Sequence, residues 1–435
     1  MPGISEVMMA DGMHIQADWC LPAAAAGTEA GKAEWSLSIN GQLATELEDL
    51  GTGVVRERVV APLELLGEWL AHNWWRLRWE PEQQRPDHDW RMSHCLPAIG
   101  GGVAWPNLMF SSDGDFILCR CEPTAKLKGG GMPVRYLSRF EESITADAFE
   151  RGVDGFMSRL GERLDISRYR QDLIDLWNAV LEERRNPDAA IWRKLEALLG
   201  FDVDEGPEGL LSQLTQRFDT LGREAVSEVA AEGRHDSLQV LARLELTAAR
   251  APVGAAPPEE QALRSAIQRI PHNQPTWRRA AEAARMARRQ WNLGDGPLLD
   301  AQLLDLLELP KEVLSESSGA PHGLPVAMRT ERGLRIALER KRLTGKRFAL
   351  ARILADELLA PPDDRLLPVT DSKTVRQRFQ RAFAQEFLCP FSSLEEELSN
   401  QPVNEEFIED TAERYGVSFQ TVSYLLQNHG VWDAA

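Results

Sequence analysis

Apolar residues recur along this chain with two different periods, and the periods change with position. EWSLSING (34–41) alternates apolar and polar residues, which predicts a strand half covered by a core. In APLELLGEWLAHNWWRLRW (61–79), Leu63, Leu66, Leu70, Trp74 and Leu77 recur every three or four residues, as on one face of a helix. WEPEQQRPDHDW then reads as a loop, and DFILCRCEP (115–123) as a strand entered through the turn SDGD. Residues 1–140 are therefore expected to form an α+β domain. From 141 to 250 the period is helical throughout. Leu173, Leu176, Trp177, Val180 and Leu181 mark one helix, Pro187 opens the next and Gly200 closes it. APVGAAPPEEQ (251–261) reads as a linker, so 141–260 is expected to be a helical domain.

Beyond the linker the pattern switches repeatedly. TWRRAAEAARMARRQW (276–291) is a basic helix, and GPLLDAQLLDLLEL contains a shorter apolar one. VAMRT and LRIALERKRL read as two strands turning at Glu331–Arg332–Gly333. Helices are expected over 347–359 and 372–390, the second ending at Pro390. Residues 401–435 carry two helices joined at Tyr415–Gly416–Val417. The expected class is α+β, predominantly helical. No period of 20–50 residues suggests a solenoid.

Composition narrows the function classes. The 435 residues carry a net charge of −18, which disfavours whole-protein affinity for nucleic acid or anionic membrane but leaves room for a local basic patch. No apolar run is long enough to span a bilayer, and the first residues lack the pattern of a secretory signal. Five scattered cysteines fit a reduced, cytoplasmic protein.

Several motifs in 273–430 carry a resemblance. RFALARILAD (347–356) follows a strand pair, QRFQRAFAQEFLCP (377–390) follows it, and TAERYGVSFQTVSYLL (411–426) closes the series. In this order they resemble the ImmA/IrrE family of zinc metallopeptidases, whose corresponding segments are R-F-x-x-A-H-E-x-x-H, a helix opening on an acidic ligand, and a helix-turn-helix-like end. The resemblance implies a zincin-like domain over 261–400 with a helix-turn-helix-like element over 401–435. The departures are chemical. The positions of the two zinc-binding histidines hold Arg352 and Asp356, that of the general base holds Ile353, and that of the third ligand holds Gln377. A guanidinium has no lone pair to offer a metal, and an isoleucine cannot deprotonate water. The motif therefore predicts no metal, no cofactor and no catalytic residue. Arg352 and Asp356, four residues apart, either form an ion pair in the vacated site with Gln377 nearby or are ordinary surface side chains.

Other candidates are weighed against plainer readings. None of the eight histidines forms H-x-x-x-H, and Cys119 and Cys121 share a strand face but lack a second ligand pair, so core packing suits them better. Ala412, Gly416, Val417, Ser418 and Val422 fit a helix-turn-helix-like unit, but its second helix has no basic residue and the first is acidic, which repels DNA. Arg278, Arg279, Arg285, Arg288 and Arg289, with Arg335, Arg340, Lys341, Arg342, Lys346 and Arg347, make a basic face over 278–352. That face is open to nucleic acid, to acidic parts of the same chain, or to solvent. The two GGG runs match no phosphate-loop pattern, and the tryptophans of 69–105 suit a core better than base stacking.

These readings point to a catalytically inactive ImmA/IrrE-like protein in a bacterial regulatory or phage-defence setting, acting on a protein partner. The alternatives are an active zinc peptidase with ligands outside the degenerate motif, and a nucleic-acid-binding subunit using the basic face. The sequence leaves the oligomeric state open.

Overall fold

Strand Lys32–Ile39 sits where the alternation places it, with Trp35, Leu37 and Ile39 buried. It pairs antiparallel with Met13–Trp19, Gln42–Leu43 and Val59–Pro62. The computed structural model describes residues 12–22, 29–125, 134–315, 323–400 and 402–432. These divide into two compact units, Met1–Pro207 and Glu208–Ala435. Both are α+β, with helix outweighing strand. Among the described residues no helix is long and apolar enough to cross a membrane.

In the first unit the Leu63–Trp79 helix buries the expected stripe. Trp74 stacks on Phe149 at 6.0 Å and meets Trp177 edge-on at 5.4 Å, so this tryptophan is core rather than a surface for bases. A second sheet orders Phe140–Thr145, Phe116–Cys121 and Leu108–Ser112. Its turn is held by Asp113, whose carboxylate accepts from the backbone N–H of Asp115 and Phe116. Phe140–Thr145 carries strand into the stretch from residue 141 expected to be wholly helical. FEESIT pairs with Phe116–Cys121 instead, and Thr145 then caps the Ala146–Ser167 helix. Helices Gln171–Arg185 and Pro187–Leu199 complete the unit, the latter ending at Gly200 with φ +82°.

The second unit opens with helices Glu208–Gln216, Arg223–Gly233 and Ser237–Arg250. The expected helical domain of 141–260 is thus shared between the two units, and 261–400 and 401–435 lie together in the second. An antiparallel sheet runs Val253–Gly254, Gly333–Ala337, Val326–Thr330, Leu366–Pro368. Its first strand corrects the linker reading. Val253–Gly254 is paired into the sheet, and the approach is so close that a Cβ on Gly333, at φ +119°, would stand 2.2 Å from the Gly254 carbonyl oxygen. A flexible composition here serves close backbone contact.

Beside this sheet, three long helices pack on one another. Ala280, Ala283, Ala284 and Ala287 form a small-residue stripe on Thr276–Gln290, all fully buried. Small side chains let the Val375–Leu388 helix approach with its ladder of Phe379, Phe383 and Phe387, whose rings stack at 6.5 and 5.3 Å. The third helix, Leu343–Leu359, is buried on nearly every side. Helices Glu405–Tyr415 and Phe419–Asn428 close the unit.

Candidate functional site

The Leu343–Leu359 helix brings Arg352, Ile353 and Asp356 into the interior of the second unit. Ile353 is wholly buried among Leu350, Leu354 and Leu358 and belongs to the core. Arg352 is 3% exposed and Asp356 0%, so neither is a surface side chain. Burying a charge without a partner is costly, so each must be matched.

They are not matched to each other. Asp356 is gripped from the next helix by Arg376, whose Nε and Nη2 donate to the two carboxylate oxygens at 2.7 and 2.9 Å. The same guanidinium donates through Nη1 to Asp364 at 2.6 Å. The planar fork fits a carboxylate far better than the helical i,i+4 geometry, in which arginine preceding aspartate is the weaker order. The expected Arg352–Asp356 ion pair is therefore replaced by an Asp356–Arg376–Asp364 triad. Burial opposes the charge of Arg376, but Asp356, Asp364 and Glu228 together hold its pKa above the ordinary arginine value. Glu228 reaches the triad from the Arg223–Gly233 helix and accepts a 2.7 Å bond from Thr374 Oγ1; burial pushes its carboxyl pKa up.

Arg352 turns the other way. Its Nη2 donates to the Thr370 carbonyl and to Gln377 Oε1, both at 2.6 Å. Gln377 also accepts from the Thr370 N–H at 2.9 Å and donates to the Pro368 carbonyl at 3.0 Å. The expected proximity of Gln377 is present. These partners are neutral oxygens, and Arg352 Nε, buried, has no partner at all. Burial first, then the neighbouring charge of Arg381, pushes its pKa down. Among the described residues no group of three or more His, Cys, Asp or Glu is arranged to hold a metal.

The basic residues do not form one face. Arg288 is buried and caps backbone carbonyls, including Gly294 at 2.7 Å and Gly296 at 2.6 Å. Arg279 is buried and meets His272 at 2.8 Å, and Arg285 pairs with Glu386 at 3.3 Å. Arg335 donates to the carbonyls of Ala249 and Ala251. Lys346 donates to the Ser315 carbonyl, and Arg347 pairs with Asp300 and donates to Leu298, Tyr415 and Gly416 carbonyls. Arg278 lies over Trp277, 5.1 Å from its ring, and with Arg289 it is exposed. Arg340, Lys341 and Arg342 behave differently. With Arg352 and Arg381 they line a cleft of about 550 Å³.

The C-terminal pair is two helices, Glu405–Tyr415 and Phe419–Asn428, joined by a short turn. Ala412, Val417 and Val422 are buried, Ser418 caps the second helix, and Gly416 turns the chain at φ +62°. A Cβ on Gly416 would press on the Arg347 guanidinium at 3.2 Å, a second reason for glycine there. The second helix faces the cleft through Ser418, Gln420, Thr421 and Tyr424. Cys119 and Cys121 are buried free thiols whose pKa values burial raises, the latter to about 12. Gly100–Gly102 form a positive-φ turn, and Gly129–Gly131 lie outside the described residues.

Sequence reasoning missed Arg376, Asp364, Glu228 and Arg381. The signal for the first lay in Asp356 itself: a carboxylate inside LARILADELL needs a buried cation, and Arg376 follows a capping threonine on the next helix. Glu228 is too distant in sequence for any such signal. No family model, curated protein or solved structure matches the chain.

Proposed function

We propose that this chain is a catalytically inactive relative of the ImmA/IrrE peptidases, with a zincin-like second unit, acting in a bacterial regulatory or defence setting by binding a protein partner. One observation carries the reading. Each position at which that family holds its metal chemistry is spent on internal structure: Arg352 on Thr370 and Gln377, Asp356 on Arg376, and Ile353 on the core. A guanidinium already donating to Gln377 Oε1 leaves that oxygen no role as a metal ligand. The nucleic-acid alternative draws less support, because Arg279, Arg288, Lys346 and Arg347 are buried in contacts within the unit.

Two measurements on the full chain test this. Elemental analysis after expression in zinc-supplemented medium is expected to return no stoichiometric metal, and affinity capture from the native host is expected to return a specific protein. One equivalent of zinc, with chelator-sensitive cleavage of a captured protein, would establish an active peptidase in its place.

A further inference from the structure

The cleft beside Arg352 has features that neither a core nor a peptidase remnant requires. Five cations line it, Arg340, Lys341, Arg342, Arg352 and Arg381, against one carboxylate, Asp371. None of the five forms an ion pair with a carboxylate among the described residues. Arg381 donates to the Ser372 carbonyl at 2.8 Å and Arg340 to the Glu339 carbonyl at 3.3 Å. Lys341 and Arg342 are exposed. Burial and then the charge of Arg378 push the Arg381 pKa down, as Arg381 does for Arg352. Asp371, Glu228 and Glu232 offset part of this charge from the protein side, and an anion in the hollow would offset more of it, above all at Arg340, Lys341 and Arg342.

Two helix N-termini converge on the same hollow. Arg342, Thr344 and Gly345 open the Leu343–Leu359 helix, which has no side-chain cap, so its first amides remain available to an anion. Ser418, Gln420 and Thr421 of the Phe419–Asn428 helix also line the hollow, but Ser418 Oγ already accepts from the Thr421 N–H, so this end offers side-chain donors more than free amides. An independent observation points to the same occupant: Arg352, 97% covered, lines the cleft, and its Nη1, unlike the enclosed Nε, is open to the surface with no acceptor among the described residues. A ligand oxygen placed in the cleft would satisfy that open nitrogen of a largely desolvated guanidinium.

The shape selects among anions. A volume of about 550 Å³ is within the range of small-molecule sites and far larger than a bare phosphate. Phe348 and the half-exposed Tyr424 supply aromatic surface on the wall. A planar base can stack there while its phosphates meet the cations and the uncapped N-terminus of the Leu343–Leu359 helix. The acidic helix Glu405–Tyr415, with Glu405, Glu406, Glu409, Asp410 and Glu413, precedes the one that borders the cleft, and that charge disfavours a polyanion extending past it.

We infer that this cleft is a binding site for a small phosphorylated ligand carrying a planar ring, a mononucleotide in chemical class. The inference goes beyond the pseudo-peptidase reading and stands without it. Its test is calorimetric titration of the full chain with ADP, with pyrophosphate and with a short single-stranded oligodeoxynucleotide. ADP is expected to bind one to one and more tightly than pyrophosphate, with Tyr424→Ala erasing the difference. The double charge reversal Lys341→Glu with Arg342→Glu alters only exposed side chains and should keep the wild-type melting profile while weakening ADP at least about tenfold. Arg352→Met should weaken it similarly. Absence of ADP binding at millimolar concentration, or affinity unchanged by the charge reversal, would overturn the site. Equal affinity for pyrophosphate and ADP would overturn its nucleotide character, and tighter binding of the oligonucleotide would make it a nucleic-acid surface instead.

Discussion

Each unit buries an arginine, and the two are matched in opposite ways. In the first, Arg76 is 2% exposed and meets three carboxylates: Glu80 at 2.7 Å, Asp202 at 2.9 Å and Asp89 at 3.0 Å. Glu80 is shared with His94, which stacks on Trp90 at 4.1 Å. Burial opposes the Arg76 charge, but these carboxylates raise its pKa. In the second unit Arg352 is as deeply buried, yet it meets only neutral oxygens and leaves one nitrogen unsatisfied. A guanidinium compensated in all directions has completed its role once the chain folds. One that is not compensated retains binding capacity, and it is found beside the cleft.

The largest expected effect sharpens this contrast at a third arginine. Arg376→Met strands Asp356 and Asp364 without a cation, and both are at most 2% exposed. It should destabilise the chain by about 3–5 kcal/mol in urea unfolding, as for other broken buried pairs. A smaller loss would mean that water or a shifted side chain rescues the carboxylates. Arg76→Met should cost less, about 2–3 kcal/mol, because Asp89 and Asp202 are 64% and 46% exposed and can rehydrate. Glu80 is the deeply buried one of the three, and it keeps its contact with His94. Arg352→Met should change stability by no more than ~1 kcal/mol, since Gln377 keeps its bonds to the Thr370 N–H and the Pro368 carbonyl. Were Arg352→Met as damaging as Arg376→Met, the distinction between compensated and uncompensated arginines would fail.

The smallest effect is one of pH. His429 stacks on Phe391 at 3.6 Å, and burial, then Arg285 and Arg278, lower its pKa to about 4. Its unfolded value lies near 6.5, so between these limits the unfolded chain binds the extra proton and stability falls as the medium is acidified. The comparison to make is wild type against His429→Phe from pH 7 to 5. The wild type should lose more stability over that range, by under ~1 kcal/mol because the ring is only half-buried.

Much of the fold was legible because periodicity reports burial. The stripe Leu63–Leu66–Leu70–Trp74–Leu77, the helix start at Pro187 and the turn at Gly416 were each read from residues that act locally. Phe140–Thr145 and Val253–Gly254 were misread because their strand character depends on partners elsewhere, Phe116–Cys121 and Gly333–Ala337. The site divides the same way. Arg352, Asp356 and Gln377 could be picked out by position, and Gln377 does bond to Arg352. The choice of Arg376 over Arg352 as the partner of Asp356 was not legible, because it depends on which of two guanidinium forks can align with the carboxylate in space. Basic residues close in sequence separated into buried caps and cleft lining for a similar reason: a helix turns Arg347 and Arg352 to different surroundings.

The short strand Val253–Gly254 bears on how the second half of this protein can be handled on its own. A fragment cut at the Pro- and Ala-rich stretch and begun at residue 261 would strip the outer rung from the sheet, leaving Gly333–Ala337 with unpaired amides and carbonyls along one side. Such raw edges recruit other chains. It would also discard Glu228 from beside Arg376. A fragment begun at Glu208 keeps both, and should remain dispersed where the shorter one precipitates.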